Sequence, residues 1–286
     1  MSASIPALPS TRLIAPRLSL AACARAYLAR SSMACAPLTP QQRLNRFPAS
    51  PLCSISWMVA GEAEMVVPMP GAVVPVPAML FGGPQSRPTV SYNPGPMHGF
   101  MLLLYPAALH KLTGLDISAW VDRFAPVEEA LGPDWAAMAR QALAAPDDAA
   151  RVALIEAFLE PRWLAARAED DGRGGIVGDW VKRLGVQVAA AGWGRGARNL
   201  ERRVKAWAGQ PMRTLRRMSR AEQSFLSWRA AKLEGRASWA DIAARGGYAD
   251  QAHLCRETKE ITGLSPTELL RAGQEDESYW VYRIWS

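Results

Sequence analysis

Residues 239 to 266 constrain this chain more than any other stretch, because they set two short helices about a tight turn. Ile242 and Ala243, then Gly246-Gly247, then Leu254 put apolar positions inward on either side of a glycine pair, which is helix-turn-helix punctuation. Asp250 precedes a run from Gln251 to Thr262 without Pro or Gly, so its carboxylate is placed to cap the second helix, and Gly263 ends that helix. On it Leu254 and Ile261 point one way, while Gln251, Ala252, Cys255, Arg256 and Lys259 share the opposite face. Gln pairs in bidentate fashion with adenine and Arg with guanine on major-groove edges, so this face has the chemistry of base readout.

Charge points the same way. The 286-residue chain carries a formal +7, placed unevenly: residues 1 to 172 sum to −1, residues 173 to 273 to +10, and the tail from 274 to −2. The excess sits with the helix-turn-helix, where neutralising phosphates would release counterions and supply sequence-independent affinity.

The residues Ile242, Ala243, Gly247, Tyr248, Asp250, Leu254, Arg256, Lys259, Gly263, Ser265 and Pro266 resemble the second helix-turn-helix of AraC-type transcriptional regulators. One position departs from that pattern: Thr258 stands where the family usually has Phe. A second, more degenerate unit precedes it. Trp180, Val181 and Leu184 begin a stripe, VQVAAAGWG supplies a short helix and turn, and Gly196 opens ARNLERRVKAWA, which Gly209 closes. Leu200, Val204 and Trp207 form its buried face, and Arg198, Glu201, Arg202 and Lys205 share the other. It resembles the first AraC-type unit through Leu200-Glu201-Arg202-Arg203, with Gly196 in place of the usual Ser cap and Gly209-Gln210-Pro211 in place of the usual ending. Between the units, residues 211 to 235 read as one linking helix with Leu215, Met218, Phe225, Leu226 and Trp228 for packing. Arg213, Arg216, Arg217 and Arg220 on it are candidates either for phosphate contact or for solubility alone.

The N-terminal part has a different texture. Residues 1 to 61 lack Asp and Glu, and Leu18, Leu20, Ala21, Ala24, Tyr27 and Leu28 suggest a short amphipathic helix rather than a targeting segment. From 32 to 105, short extended runs divided by PMPG, GGPQ and NPGP predict a β-rich barrel or sandwich. Residues 106 to 170 then read as helices: TGLDISAWVDRF, PVEEALGPDWAAMARQAL, and a last one begun by Pro146, Asp147 and Asp148. Phe81-Gly82-Gly83-Pro84-Gln85, and Gly99 to Tyr105 running into Pro106-Ala107-Ala108-Leu109, resemble the sensor domain of one branch of AraC-like regulators over about residues 10 to 135.

Catalytic and metal signatures are missing from this pattern. His98 and His110 lack metal-ligand spacing, no G-x-S-x-G, P-loop or G-x-G-x-x-G occurs, and Cys23, Cys35, Cys53 and Cys255 form no C-x-x-C pair. Neither a metal, nor a cofactor, nor enzymatic activity is expected. Trp57, Phe81, Tyr92 and Phe100 read as core, with an effector cavity as the alternative. No stretch approaches the roughly 18 to 20 apolar residues that span a membrane.

The fold class expected is α+β: a β-rich sensor or dimerisation domain with a helical extension over 1–167, a linker at 168–175, an all-α double helix-turn-helix domain over 176–273, and an aromatic tail over 274–286. Tyr279, Trp280, Ile284 and Trp285 make that tail too apolar for water, so it docks on the protein or on a partner. The resemblance implies a cytoplasmic transcription factor whose partner is double-stranded promoter DNA. RNA polymerase, a small-molecule effector and a second copy of the chain are further candidate partners; a membrane is not. Arg198, Glu201, Arg202, Lys205, Gln251, Ala252, Cys255, Arg256 and Lys259 are the candidate DNA contacts. Two alternatives stay open: a protein-interaction module with a degenerate helix-turn-helix, and a DNA-repair enzyme with a sacrificial Cys fused to a DNA-binding domain.

Overall fold

Pro and Gly clusters divide the N-terminal half into strands, and the structure, a computed structural model describing residues 8–66, 73–168 and 197–284, places them in two antiparallel sheets. One sheet joins β1 (Ser10–Ile14), β2 (Ala24–Ser31), β4 (Cys53–Ala60), β7 (Met79–Gly82), β9 (His98–Leu104) and β10 (Phe124–Pro126) in the order β1-β2-β9-β4-β7-β10. The other joins β3 (Leu44–Phe47), β5 (Glu64–Val66), β6 (Val73–Pro75) and β8 (Thr89–Tyr92) in the order β3-β8-β5-β6. Helices follow, so the chain is α+β as its sequence suggests.

Strand β4 shows the alternation of a strand with one buried face: Cys53, Ile55 and Trp57 point into the core between less buried neighbours. Trp57 lies against Phe100, and its indole donates a 2.9 Å hydrogen bond to the Ala139 carbonyl of the covering helix α3 (Pro133–Leu143). Trp57, Phe81 and Phe100 are packing residues of this core. The Gly83 backbone is pressed against the Trp120 carbonyl, which would stand 2.0 Å from any Cβ at that position. That contact gives the Phe81-Gly82-Gly83-Pro84-Gln85 motif a steric reason.

Two stretches depart from the sequence reading. The segment read as an amphipathic helix from Leu18 to Leu28 is a 3-10 turn over Leu18–Leu20 followed by strand β2. Ala26, Tyr27, Leu28, Ala29 and Arg30 are all buried, because β2 has a different core on each face. Tyr27 and Ala29 join the core of the sheet; Leu28 joins Phe225, Leu269 and Trp280. TGLDISAWVDRF is not a helix either: α1 (Pro106–Thr113) ends at Gly114, with φ 72°, and a 3-10 turn at Ile117–Trp120 leads into β10. Asp122 there has φ 58°, and its carboxylate accepts 2.6 and 2.5 Å bonds from Ser86 N and Oγ. Pro133 and Asp134 begin a helix as expected: Gly132, with φ 84°, separates α2 (Val127–Leu131) from α3, and α4 (Asp148–Ala168) starts at the expected Asp148.

Ala168, the first residue of the linker expected at 168–175, still ends α4; the rest of that linker, the Trp180, Val181 and Leu184 stripe and VQVAAAGWG lie outside the described residues. The chain is described again as α5 (Ala197–Ala208), α6 (Met212–Leu233), α7 (Trp239–Arg245), α8 (Gln251–Thr262) and α9 (Pro266–Glu275), then a 3-10 segment at Glu277–Ile284. That last segment answers where the aromatic tail docks, because it packs on β3 of the second sheet. Trp280 donates from Nε1 to Asn45 Oδ1 at 2.8 Å and meets Phe47 edge-on. Buried Arg30 pairs with Glu277 at 2.9 Å and lies over the Trp280 ring. Burial pulls the Arg30 guanidinium below its ordinary value, and Glu277 opposes that shift.

Candidate DNA-binding face

Each feature of the sequence from Ser238 to Glu268 has a local structural role. Ser238 caps α7, and Ile242 and Ala243 bury its inner side. A Cβ on Gly246 would approach the Ile242 carbonyl to 2.8 Å, and Gly247 has φ 74°, so the glycine pair permits the turn. Asp250 accepts a 2.6 Å hydrogen bond from the His253 backbone N–H, which fixes the start of α8. Gly263, with φ 86°, closes α8, and Ser265 and Glu268 form a capping box at the next helix.

Ile242, Ala243, Tyr248 and Leu254 make the small core of this unit, with Trp228 and Trp239 packed on it. Helix α8 turns Leu254, Glu257, Thr258, Ile261 and Thr262 inward. Thr258 is only 2 % exposed, so this position is a core position filled by a small side chain. The opposite face presents Gln251, Ala252, Arg256 and Lys259 to solvent, with Cys255 half-buried among them. All five candidate contacts of this unit therefore share one side of one capped helix.

Helix α6 meets α8 through two ion pairs that the sequence does not reveal. Arg217 reaches Glu260 and Arg220 reaches Glu257, each at 2.5 Å, and Arg220 also lies over the Tyr248 ring. The Glu257 hydrogen bond raises the Arg220 pKa, and burial raises that of Tyr248. Residues read as phosphate or solubilising arginines thus divide: Arg217 and Arg220 hold carboxylates, whereas Arg213 and Arg216 are exposed. Leu215, Met218 and Phe225 pack as expected, but Leu226 points outward, 40 % exposed.

In the first unit, α5 runs from Ala197 to Ala208 and Gly209 ends it with φ 77°. Val204 and Ala208 pack with Leu215, Ala107, Trp207 and Met212. Glu201, Arg202 and Lys205 are exposed on the other side, and Arg198 lies in the first turn of the same helix. Glu201 and Lys205 pair along the helix at 3.7 Å. Residues of the strand-rich half touch both α5 and α8. Gly209 sits against Ile117 and Pro84, and the Ala49 backbone N–H donates 2.8 Å to the Ile261 carbonyl in the last turn of α8.

The thiols bear on the repair-enzyme alternative. Burial pushes Cys23 up to about 12 and raises Cys53 as well, the reverse of what activates a nucleophile. Among the described residues, no group of three or more His, Cys, Asp or Glu could hold a metal ion, and no helix is long and apolar enough to cross a membrane.

The described face is thus that of an α+β chain carrying a capped helix-turn-helix with a polar and basic outer surface. No family model matches the chain, and no curated protein matches it. Among solved structures it is similar to ToxT from Vibrio cholerae O395, at 11% identity over 80% of this chain and 96% of that one, with a TM-score of 0.39. A structure of ToxT from Vibrio cholerae in a P21 form gives 11% identity, 86% and 98% coverage and a TM-score of 0.40. Unsaturated fatty acid bound wild-type ToxT from Vibrio cholerae strain SCE256 gives 12% identity, 79% and 94% coverage and 0.37. Likeness at this level leaves function to be argued from the residues of this chain.

Proposed function

We propose that this chain is a sequence-specific DNA-binding transcription factor of the AraC class, working in the cytoplasm without catalysis. The observation that supports it best is the outer face of α8. Gln251 and Arg256 stand exposed near its N-terminal half, on a helix anchored behind by Leu254 and Ile261 and capped by Asp250. Such a helix end enters a major groove and reads base edges. Glu201, Arg202 and Lys205, with Arg198, are the matching candidates on α5.

Helix α6 has 22 residues and so spans about 33 Å at 1.5 Å per residue. Successive major-groove segments on one side of a duplex repeat at roughly 34 Å, so the two units suit adjacent grooves. In this reading the domain of residues 1–167 is where a small-molecule effector or a second copy acts, and RNA polymerase is the partner through which an activator of this class works.

The test is equilibrium binding of the purified chain to its own upstream promoter fragment and to a scrambled duplex over a salt series. A promoter preference of about a thousandfold or more at physiological salt is expected. Equal affinities that collapse together as salt rises would instead support the interaction-module alternative.

A further inference from the structure

The first nine residues of α6 carry Arg213, Arg216, Arg217 and Arg220 and no acidic residue. Together with Met212, Thr214 and Glu257 of α8 they line a cleft of about 560 Å³. Two of the four guanidiniums are satisfied in part by α8 carboxylates. Arg217 bonds Glu260 through Nη1 while its buried Nε has no partner among the described residues. Arg213 and Arg216 are exposed and make no hydrogen bond or ion pair among the described residues.

We infer that this cleft is a seat for the phosphodiester backbone of duplex DNA, filled by Arg213 and Arg216 and reinforced by Arg217 as a phosphate replaces Glu260. The inference rests on the DNA-binding reading above and adds to it a surface that positions the duplex without reading bases. Placement supports it. Arg213, Arg216, Arg217 and Arg220 recur at steps of three and four, so they share one face of the helix that joins the two units. Arginine suits that position because its planar fork matches phosphate oxygens. The exposure of Arg213 and Arg216 favours a long polyanion lying across the cleft over a small anion, which needs enclosure. Glu260, itself exposed, occupies Arg217 as an internal stand-in for phosphate, so its pairing is exchangeable.

The experiment uses the full chain with Arg213→Gln and Arg216→Gln combined, measured on promoter and scrambled duplexes over the same salt series. Loss of two phosphate contacts lowers the slope of log affinity against log salt by about 1.8, so the deficit of the variant shrinks about tenfold between 50 and 200 mM salt. The promoter preference should stay the same. Glu260→Gln should tighten both duplexes, because it frees Arg217. Both arginines are exposed, and an unchanged melting temperature of the variant shows that the fold is intact. An unchanged salt slope in the folded double variant overturns the cleft proposal. If the wild type shows no promoter preference, the transcription-factor reading fails instead, and the slope change on any duplex still decides the cleft.

Discussion

The indole N–H of Trp280 donates to Asn45 Oδ1 at 2.8 Å, joining residues 235 positions apart. Asn45 is itself held by Asn93, whose Oδ1 accepts its amide at 2.7 Å, and Glu277 of the same tail closes on Arg30 of β2. The tail thus acts as a clasp from the helices back onto the strands.

Replacing Trp280 by Ala should cost about 3 to 5 kcal/mol of stability, because the indole is buried and its cavity cannot close fully. Asn45→Ala leaves the indole donor unmet and should cost about 1 to 3 kcal/mol. Urea unfolding of the two variants would test both values, and near-neutral results would mean that the tail is not docked in solution.

Arg256→Ala and Asp250→Ala should separate reading from folding. Loss of Arg256 is expected to weaken promoter binding by about 1 to 3 kcal/mol and to relax sequence preference, with no change in melting temperature. Loss of the Asp250 cap is expected to lower stability by about 0.5 to 2 kcal/mol. Arg256→Ala binding its promoter as the wild type does would show that α8 is not the reading helix.

Thiol titration under native conditions should show fast reaction at Cys35 and Cys255 and slow reaction at Cys23 and Cys53. The first two are partly accessible; burial both shields the other two and raises their pKa values. Bound promoter DNA should then protect Cys255 selectively, a result that mass spectrometry of the labelled peptides would reveal.

Acid stability should depend on Glu160. The Ser19 hydroxyl and then Arg17 hold its carboxyl below the ordinary value. The stabilisation is therefore complete above the unfolded pKa of about 4.3 and is lost as pH falls through the lower folded value. Urea midpoints of wild type and Glu160→Gln should converge on acidification; a constant gap would remove this pairing from the account.

The helix-turn-helix was legible because its cues are local: a cap at Asp250, glycines at 246, 247 and 263, and an apolar seam at Leu254 and Ile261. The strands at Cys53–Ala60, Met79–Gly82 and His98–Leu104 were legible through their Pro and Gly borders. Strand β2 was not, because a strand buried on both faces loses the alternation that distinguishes it from a helix. The pairing of Arg217 and Arg220 with Glu260 and Glu257 was equally hidden: a run of arginines reads as free positive charge until another helix is laid beside it.

Strand β2 is a party wall, with Tyr27 furnishing one room and Leu28 the other. A fragment cut near residue 175 would strip the second room of that wall and leave Phe225, Leu269 and Trp280 facing water. Heating should accordingly melt strands and helices in a single calorimetric transition, so this chain's cooperative unit crosses the border at which its sequence changes character.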